Sequence, residues 1–486
     1  MPFPHLRALA LGVSAVLLAS CVSDVPTAIT PSPATRSAGH FDTKVSVCHR
    51  PDTQGRILEI GADGVADHVA HGDYVSTLRV SHDPALPADA AQFATIGDAL
   101  AAARASRVLA GETTAAACRI TIVVSPGTYI GTVGPASGLL EHFPLIVDVP
   151  DITLQGALAM AIDGSGRATG DGTTGDESVL APAVPLPFVG GVSTPIIFAN
   201  AHPGGSAGDG LVVQGFVFRS GHDPLVDGGG QGILSLRATG LTVRGNRFEG
   251  GFTESLDLRA GSADVIQNHL AGTVGTCDMC LAGPGSYTVV GNRLLGGGIP
   301  GIAVTPTVLL PVADGVEQYV LPATAETWAD IRNNEVRDHQ RVPVGVGIRM
   351  DAIGVGASTV HGTVHAVVQD NALLNNRFGI MVHGGFVAAS TDRRGDVDLT
   401  LGGNVFQGSC QANLFVSFAR HQTGLGLQNT PYLLNSTFRL ALNGDVSWAD
   451  AWYSHRAGFG NTLVVDGSVI AEGARQFYSQ TSCPGI

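Results

Sequence analysis

Arg349, Asp351 and His383 are the side chains in this sequence best suited to chemistry. An aspartate beside a histidine can fix the tautomer of the ring and hold it as a general base. A nearby arginine can pair bidentately with a carboxylate. Arg237, Asp257 and Arg259 form a second set of the same kind, suited to binding. Nearer the N-terminus, Cys48-His49 precedes His68-x-x-His71-Gly72-Asp73. Residues three apart share a helix face, so His68 and His71, with Cys48, His49 and Asp73, offer a metal site, reduced to its histidines and carboxylate if Cys48 is tied in a disulfide. The competing use of these side chains is to pack and hydrogen-bond a small fold. Asp163, Asp171, Asp176 and Glu177 lie in a segment rich in Gly, Pro and Thr. They supply oxygen ligands of the kind calcium takes, without the spacing of an EF-hand.

Residues so far apart act together only if recurring elements stack them. The copies LTVRGNRF (241–248), ADVIQNHL (263–270), YTVVGNRL (287–294), ADIRNNEV (329–336), AVVQDNAL (366–373) and LTLGGNVF (400–407) align Asn246, Asn268, Asn292, Asn334, Asn371 and Asn404. An earlier copy, LVVQGFVF (211–218), has Phe216 at that position. Alternation with period two reads as strand. The asparagine spacings of 22, 24, 42, 37 and 33 fit a parallel solenoid whose longer coils carry loops. Asparagine tolerates the left-handed backbone of a sharp corner and can bond from coil to coil. The row is therefore expected to be a structural ladder.

The strand after each corner reads LSLRA (234–238), LDLRA (256–260), IAVTP (302–306), IRMDA (348–352), IMVHG (380–384) and LFVSF (414–418). With first and third positions inward, second and fourth point out. Asp351 and His383 then share a column on neighbouring coils, with Arg237 and Arg259 lower in it. Exposed aromatics beside Phe415 would mark a binding surface.

FATIGDALAAARA (93–105) predicts a helix, ITIVVSPGTYIGTV (120–133) a strand, turn and strand, and VDVPDITLQGALAMAIDGSG (147–166) the next coil. This order resembles the start of right-handed parallel β-helix proteins of the pectin-lyase-like superfamily. The resemblance spans residues 90–440. It implies an all-β solenoid closed by an N-terminal capping helix, with residues 441–486, which hold Trp448, Trp452 and Cys483, as the other cap. It does not imply a substrate. Arg337-Asp338-His339-Gln340-Arg341-Val342-Pro343 is faintly similar to the Arg/Pro-rich strand of pectate lyases, in a different order. The Asn-Thr-Asp, Asp-Asp, Gly-His-Gly and Arg-Ile-Lys elements of polygalacturonase-like hydrolases are missing, as are pectin methylesterase patterns.

Residues 1–20 place Arg7 before an apolar run, Ala8 to Leu18. That run is shorter than the ~20 residues of a membrane span and has the dimensions of a signal peptide. Leu18-Ala19-Ser20-Cys21 resembles the bacterial lipobox, which implies lipidation of Cys21 and anchoring in the cell envelope. Val22 in place of Asp implies the outer membrane by analogy with Gram-negative sorting. Residues 21–44 read as a tether, and 45–82 as a small module similar to a CH…HxxHGD element of exported bacterial proteins. Export favours disulfides. The remaining six cysteines allow many pairings; the expected set is Cys277–Cys280, Cys410–Cys483 and Cys48–Cys118.

A formal charge of −14 argues against a nucleic-acid partner, and with Lys44 the single lysine, lysine-dependent chemistry in the main domain is excluded. The expected partner is a polysaccharide, held in the solenoid groove by Arg237, Asp257 and Arg259. Any cleavage would be lyase-like, with His383 as base, Asp351 orienting it or holding a cation such as calcium, and Arg349 neutralising a carboxylate. The alternative is a non-catalytic surface scaffold or adhesin-like rod, consistent with an aromatic content of only 6%.

Overall fold

The computed structural model describes residues 44–49, 55–82, 92–112, 116–132, 140–170, 175–184, 186, 188–189, 192–200, 208–221, 229–297, 300–306, 324–340, 345–353, 361–385, 394–419 and 432–476. Strand follows strand in a fixed rotation over three faces, as the alternation requires. Ile120–Val124 lies on the first face, Gly127–Thr132 on the second and Leu145–Val147 on the third; Ile152–Gln155 then returns to the first. The rotation repeats to the C-terminal coils, giving faces of fourteen, ten and eleven strands. Neighbours are parallel along the faces up to their C-terminal edges. The chain is a parallel β-helix.

The core fills with inward residues of all three faces, such as Val243, Phe248 and Leu256 of one coil. Phe218 and Phe248 stack between coils with centroids 4.6 Å apart. No coil buries its apolar side alone, so stacking is what stabilises each one.

The asparagines form a buried ladder. Asn246 N donates to Asn268 Oδ1 (3.0 Å), Asn268 N to Asn292 Oδ1 (2.8 Å), Asn292 N to Asn334 Oδ1 (2.9 Å), Asn334 N to Asn371 Oδ1 (2.9 Å) and Asn371 N to Asn404 Oδ1 (3.0 Å). Asp445 ends the row, accepting from Asn404 N at 3.0 Å. The left-handed corner, however, sits one residue earlier than expected. Gly245, Gln267, Gly291, Asn333, Asp370 and Gly403 carry the positive φ values. The ladder asparagine is kept for its amide, which bonds backbone on the preceding coil and the next asparagine's side chain on the following one, and the preceding residue makes the bend.

Helix α1 (Val65–Ala70) belongs to the N-terminal module, where Lys44–His49 pairs antiparallel with Arg56–Gly61 and Tyr74–Val75. Thr77–Val80 then joins the first face beside Ile120–Val124. Helix α2 (Ile96–Leu109) starts at Thr95, whose Oγ1 accepts from Asp98 N at 3.0 Å. Glu141 also accepts from the first-turn amides of Ile96 and Gly97, placing a carboxylate at the positive end of the helix. Ile96, Ala99, Leu100 and Ala103 of α2 join the solenoid core. Arg107, fully buried, reaches Glu112 at 2.6 Å and the Cys118 carbonyl at 2.6 Å.

At the other end, Thr462–Val465 and Ser468–Ile470 close the first face with an antiparallel pair. Disulfides join Cys48 to Cys118 and Cys277 to Cys280. Cys410 is also disulfide-bonded, and Cys483 lies outside the described residues.

Candidate functional site

On the third face the strands pair in a different register from that read in the sequence. Ile233 lies beside Leu256, Leu234 beside Asp257 and Leu236 beside Arg259. Arg237 instead takes the corner, with φ 60°, as Ala260 does one coil on. Arg237 therefore does not share the column of Arg259, and Leu236 stands there. Above it the reading holds: Asp351 pairs with His383, and His383 with Ser417.

Arg349, Asp351 and His383 do meet. Asp351 Oδ1 is 3.1 Å from Arg349 Nε and 2.8 Å from His383 Nε2. This face is nevertheless not an open groove, because Asp351 and His383 are each 1% exposed and Arg349 6%. His383 Nδ1 accepts from the Gly385 amide at 2.8 Å. The ring proton then belongs on Nε2, facing Asp351. Both nitrogens are engaged, and no lone pair is left to take a proton from a substrate. This geometry weighs against His383 as an open base. Phe415 is also buried and packs with Phe378, Met381 and the partly buried Trp452, so it does not present an open aromatic surface for binding.

Asp257 and Arg259 lie lower on the same face. Asp257, 2% exposed, accepts from Arg259 Nε (2.8 Å) and Gln231 Nε2 (2.7 Å). Sequence reasoning passed over Glu254, which accepts from Gln231 Nε2 at 3.1 Å and from Thr276 Oγ1. Burial, and then the charge of Asp257, raise Glu254 from an ordinary 4.5 to about 7. The folded chain thus binds this proton more tightly than the unfolded chain. The stability it contributes is complete below pH 4.5 and is lost as pH rises through about 7. Wild-type thermal midpoints should fall across that interval, and Glu254→Gln should flatten the fall. An equal slope in the variant would count against this assignment.

The accessible chemistry lies on the first face. Trp328, 52% exposed, stands in one column with Ser262, Ser286, His365, Asp398 and Arg439. Its ring stacks on that of His365, with centroids 4.0 Å apart and planes 16° from parallel. His365 Nδ1 lies 3.2 Å from Asp398 Oδ2, and Asp398 Oδ1 lies 3.1 Å from Arg439 Nη1. Asp330 pairs with Arg332 one column over. Ser286, Trp328, Asp330, Arg332, His365 and Asp398, with Thr288 and Thr400, line a cleft of about 480 Å³. On the other side of the indole the register places Ser286 and then Ser262. Coils stack ~4.8 Å apart, so two small residues leave a notch roughly 10 Å tall beneath the ring.

In the N-terminal module Asp73 Oδ2 lies 2.7 Å from both His49 Nδ1 and His68 Nδ1. His71, expected as a ligand beside His68, ends α1 and is exposed outside this cluster; His49, also among the expected candidates, is in it. Cys48 is committed to its disulfide. Among the described residues, His49, His68 and Asp73 are the one group of three or more such side chains within ligand distance of one another. Among the described residues the acidic segment does not converge on a calcium site: Glu177 pairs with Arg247 at 3.0 Å, and Asp163 accepts from Ser165 and Arg167. Asp171, like Cys21 and residues 341–343, lies outside the described residues.

Neither a protein-family model nor a curated protein matches the sequence. Among solved structures, the chain is similar to the A-module of Azotobacter vinelandii mannuronan C-5 epimerase AlgE6. Identity is 14%, covering 77% of this chain and 95% of that one, with a TM-score of 0.31. The catalytic domain of an α-1,3-glucanase in complex with nigerose matches at 12% identity over 71% of this chain and 64% of that one, with a TM-score of 0.26. A tailspike protein of E. coli bacteriophage HK620 in complex with a pentasaccharide matches at 12% over 87% and 82%, with a TM-score of 0.30. Such scores carry no argument about this chain, whose fold is defined by its own strand pairing: a three-faced parallel β-helix with its open chemistry on the first face.

Proposed function

We propose that this chain binds a neutral polysaccharide across its first face, at the cleft around Trp328. The observation that carries this reading is a half-exposed indole on a rigid sheet, backed by His365 on one side and opening over two serines on the other. An aromatic ring fixed against a polar rim is how pockets anchor an amphipathic ligand. Asp330, Asp398, Thr288 and Thr400 supply acceptors and donors for sugar hydroxyls. Arg332 and Arg439 are each already paired to an aspartate, and the whole chain is formally at −14. Both facts favour a neutral chain over a polyuronate. In the same reading, lipidation at Cys21 and the tether of residues 21–44 hold the β-helix at the cell envelope, on the outer membrane. Titration of the full chain with neutral and uronate oligosaccharides tests it. Neutral members should bind and uronates should bind more weakly. Binding by none would leave the scaffold reading.

A second reading, lyase-like cleavage at Arg349, Asp351 and His383, has their close approach in its favour and the burial and engaged nitrogens of His383 against it. If it were correct, uronate polymers would yield unsaturated, ultraviolet-absorbing products, and His383→Ala would abolish them. We expect no such products.

A further inference from the structure

We propose that the N-terminal module holds one zinc-type divalent cation between His49, His68 and Asp73, independently of the glycan cleft. His49 comes from the strand Lys44–His49, His68 from helix α1, and Asp73 from the turn that follows it. That turn is tightly built: His71 N and Asp73 N both donate to the His68 carbonyl at 3.1 Å, and Gly72 has φ 90°. It aims the Asp73 carboxylate, with a side chain only 2% exposed, at two imidazole Nδ1 atoms. The disulfide Cys48–Cys118 fixes the residue next to His49. The two rings stand edge to face, 5.5 Å apart and 82° from parallel, so both nitrogens converge instead of stacking.

Two imidazoles and a carboxylate are a zinc donor set, and zinc with three protein ligands keeps a fourth position for water. The His49 and His68 side chains, 36% and 26% exposed, leave that position on the solvent side. Tetrahedral zinc separates its ligands by about 3.3 Å, given bonds of ~2.0–2.1 Å. The present 2.7 Å contacts need open by only roughly 0.6 Å on that geometry, which rotation of two half-exposed rings supplies. Calcium, which takes six to eight oxygens, does not fit. His71 is excluded despite its place in the sequence, because it faces solvent at the end of α1.

The test is equilibrium binding of Zn²⁺ to the full chain with its disulfides formed, with Co²⁺ as a spectroscopic probe and Ca²⁺ as a control. One Zn²⁺ per chain should bind. Co²⁺ should give the strong visible absorption of a tetrahedral site, and Ca²⁺ should not compete. His49→Ala and Asp73→Asn should each weaken Zn²⁺ binding at least tenfold, whereas His71→Ala should leave it unchanged. Asp73 is buried and its variant could disturb the turn, but His49 is half-exposed and its removal spares the fold. Zn²⁺ binding that survives His49→Ala, equal loss in His71→Ala, or an octahedral Co²⁺ spectrum would each overturn the proposal.

Discussion

Trp328→Ala should weaken polysaccharide binding by roughly thirtyfold, the effect of losing an aromatic anchor worth about 2 kcal/mol. Thermal stability should barely change, because the side chain is half-exposed and outside the core. A complementary change, Ser286→Tyr, leaves the indole in place and fills the notch beneath it. It should weaken binding comparably. Isothermal titration with the best-binding neutral oligosaccharide, alongside circular-dichroism melts, reads both effects. Loss of binding in Trp328→Ala with full binding in Ser286→Tyr would move the ligand away from the notch.

Asn292→Ala should be the most destabilising single change in the ladder. Asn292 Oδ1 accepts from Asn268 N at 2.8 Å, and its Nδ2 donates to the Val265 carbonyl at 2.8 Å and to Asn334 Oδ1 at 2.9 Å. The side chain is fully buried. Truncation orphans an amide and a carbonyl where water cannot reach, at ~1–3 kcal/mol each, for a total of about 3 kcal/mol or more. Because each coil is stabilised by its neighbours, a break in the middle uncouples the stack. Asn404→Ala, at the end of the row and 9% exposed, should cost less. Thermal unfolding of the two variants separates them. Equal midpoints would mean that the ladder does not couple the coils.

The fold was legible because its signals are local and repeated. Alternation marks the first-face strands, and the asparagine after each marks the corner. The left-handed residue was misplaced by one because asparagine tolerates that backbone, yet here its side-chain amide is what the corner needs. On the third face, Ile233-Leu234-Ser235-Leu236 carries apolar residues on both sides of the strand, so period alone did not fix its register. Similar lettering aligned Arg237 with Arg259, whereas the backbone aligns it with Ala260. Burial of Asp351 and His383 could not be read from the strands that carry them, since it depends on what covers their outer side.

The first-face cleft, by contrast, had a readable signal. The copy ADIRNNEV began one residue after Trp328. Carrying the alternation back through Thr327 puts Trp328, Asp330 and Arg332 on the outer side. The same alternation exposes His361 and His365 in the next coil, and Asp396 and Asp398 in the one after. Columns were aligned on the strand after the corner, not on the strand before it, and so these residues were not set side by side. The metal-type cluster was largely legible: His49, His68 and Asp73 were all among the candidates, but helical spacing also put His71 there, and Cys48 is taken by its disulfide.

The most direct measurement is the indole N–H nuclear magnetic resonance spectrum of the full chain during titration with neutral oligosaccharides. The chain has three tryptophans, and Trp328→Ala assigns the relevant signal. The account predicts a saturable shift of the Trp328 indole, with Trp448 and Trp452 unmoved. Binding that leaves Trp328 unmoved, or shifts Trp452 on the third face, would contradict it.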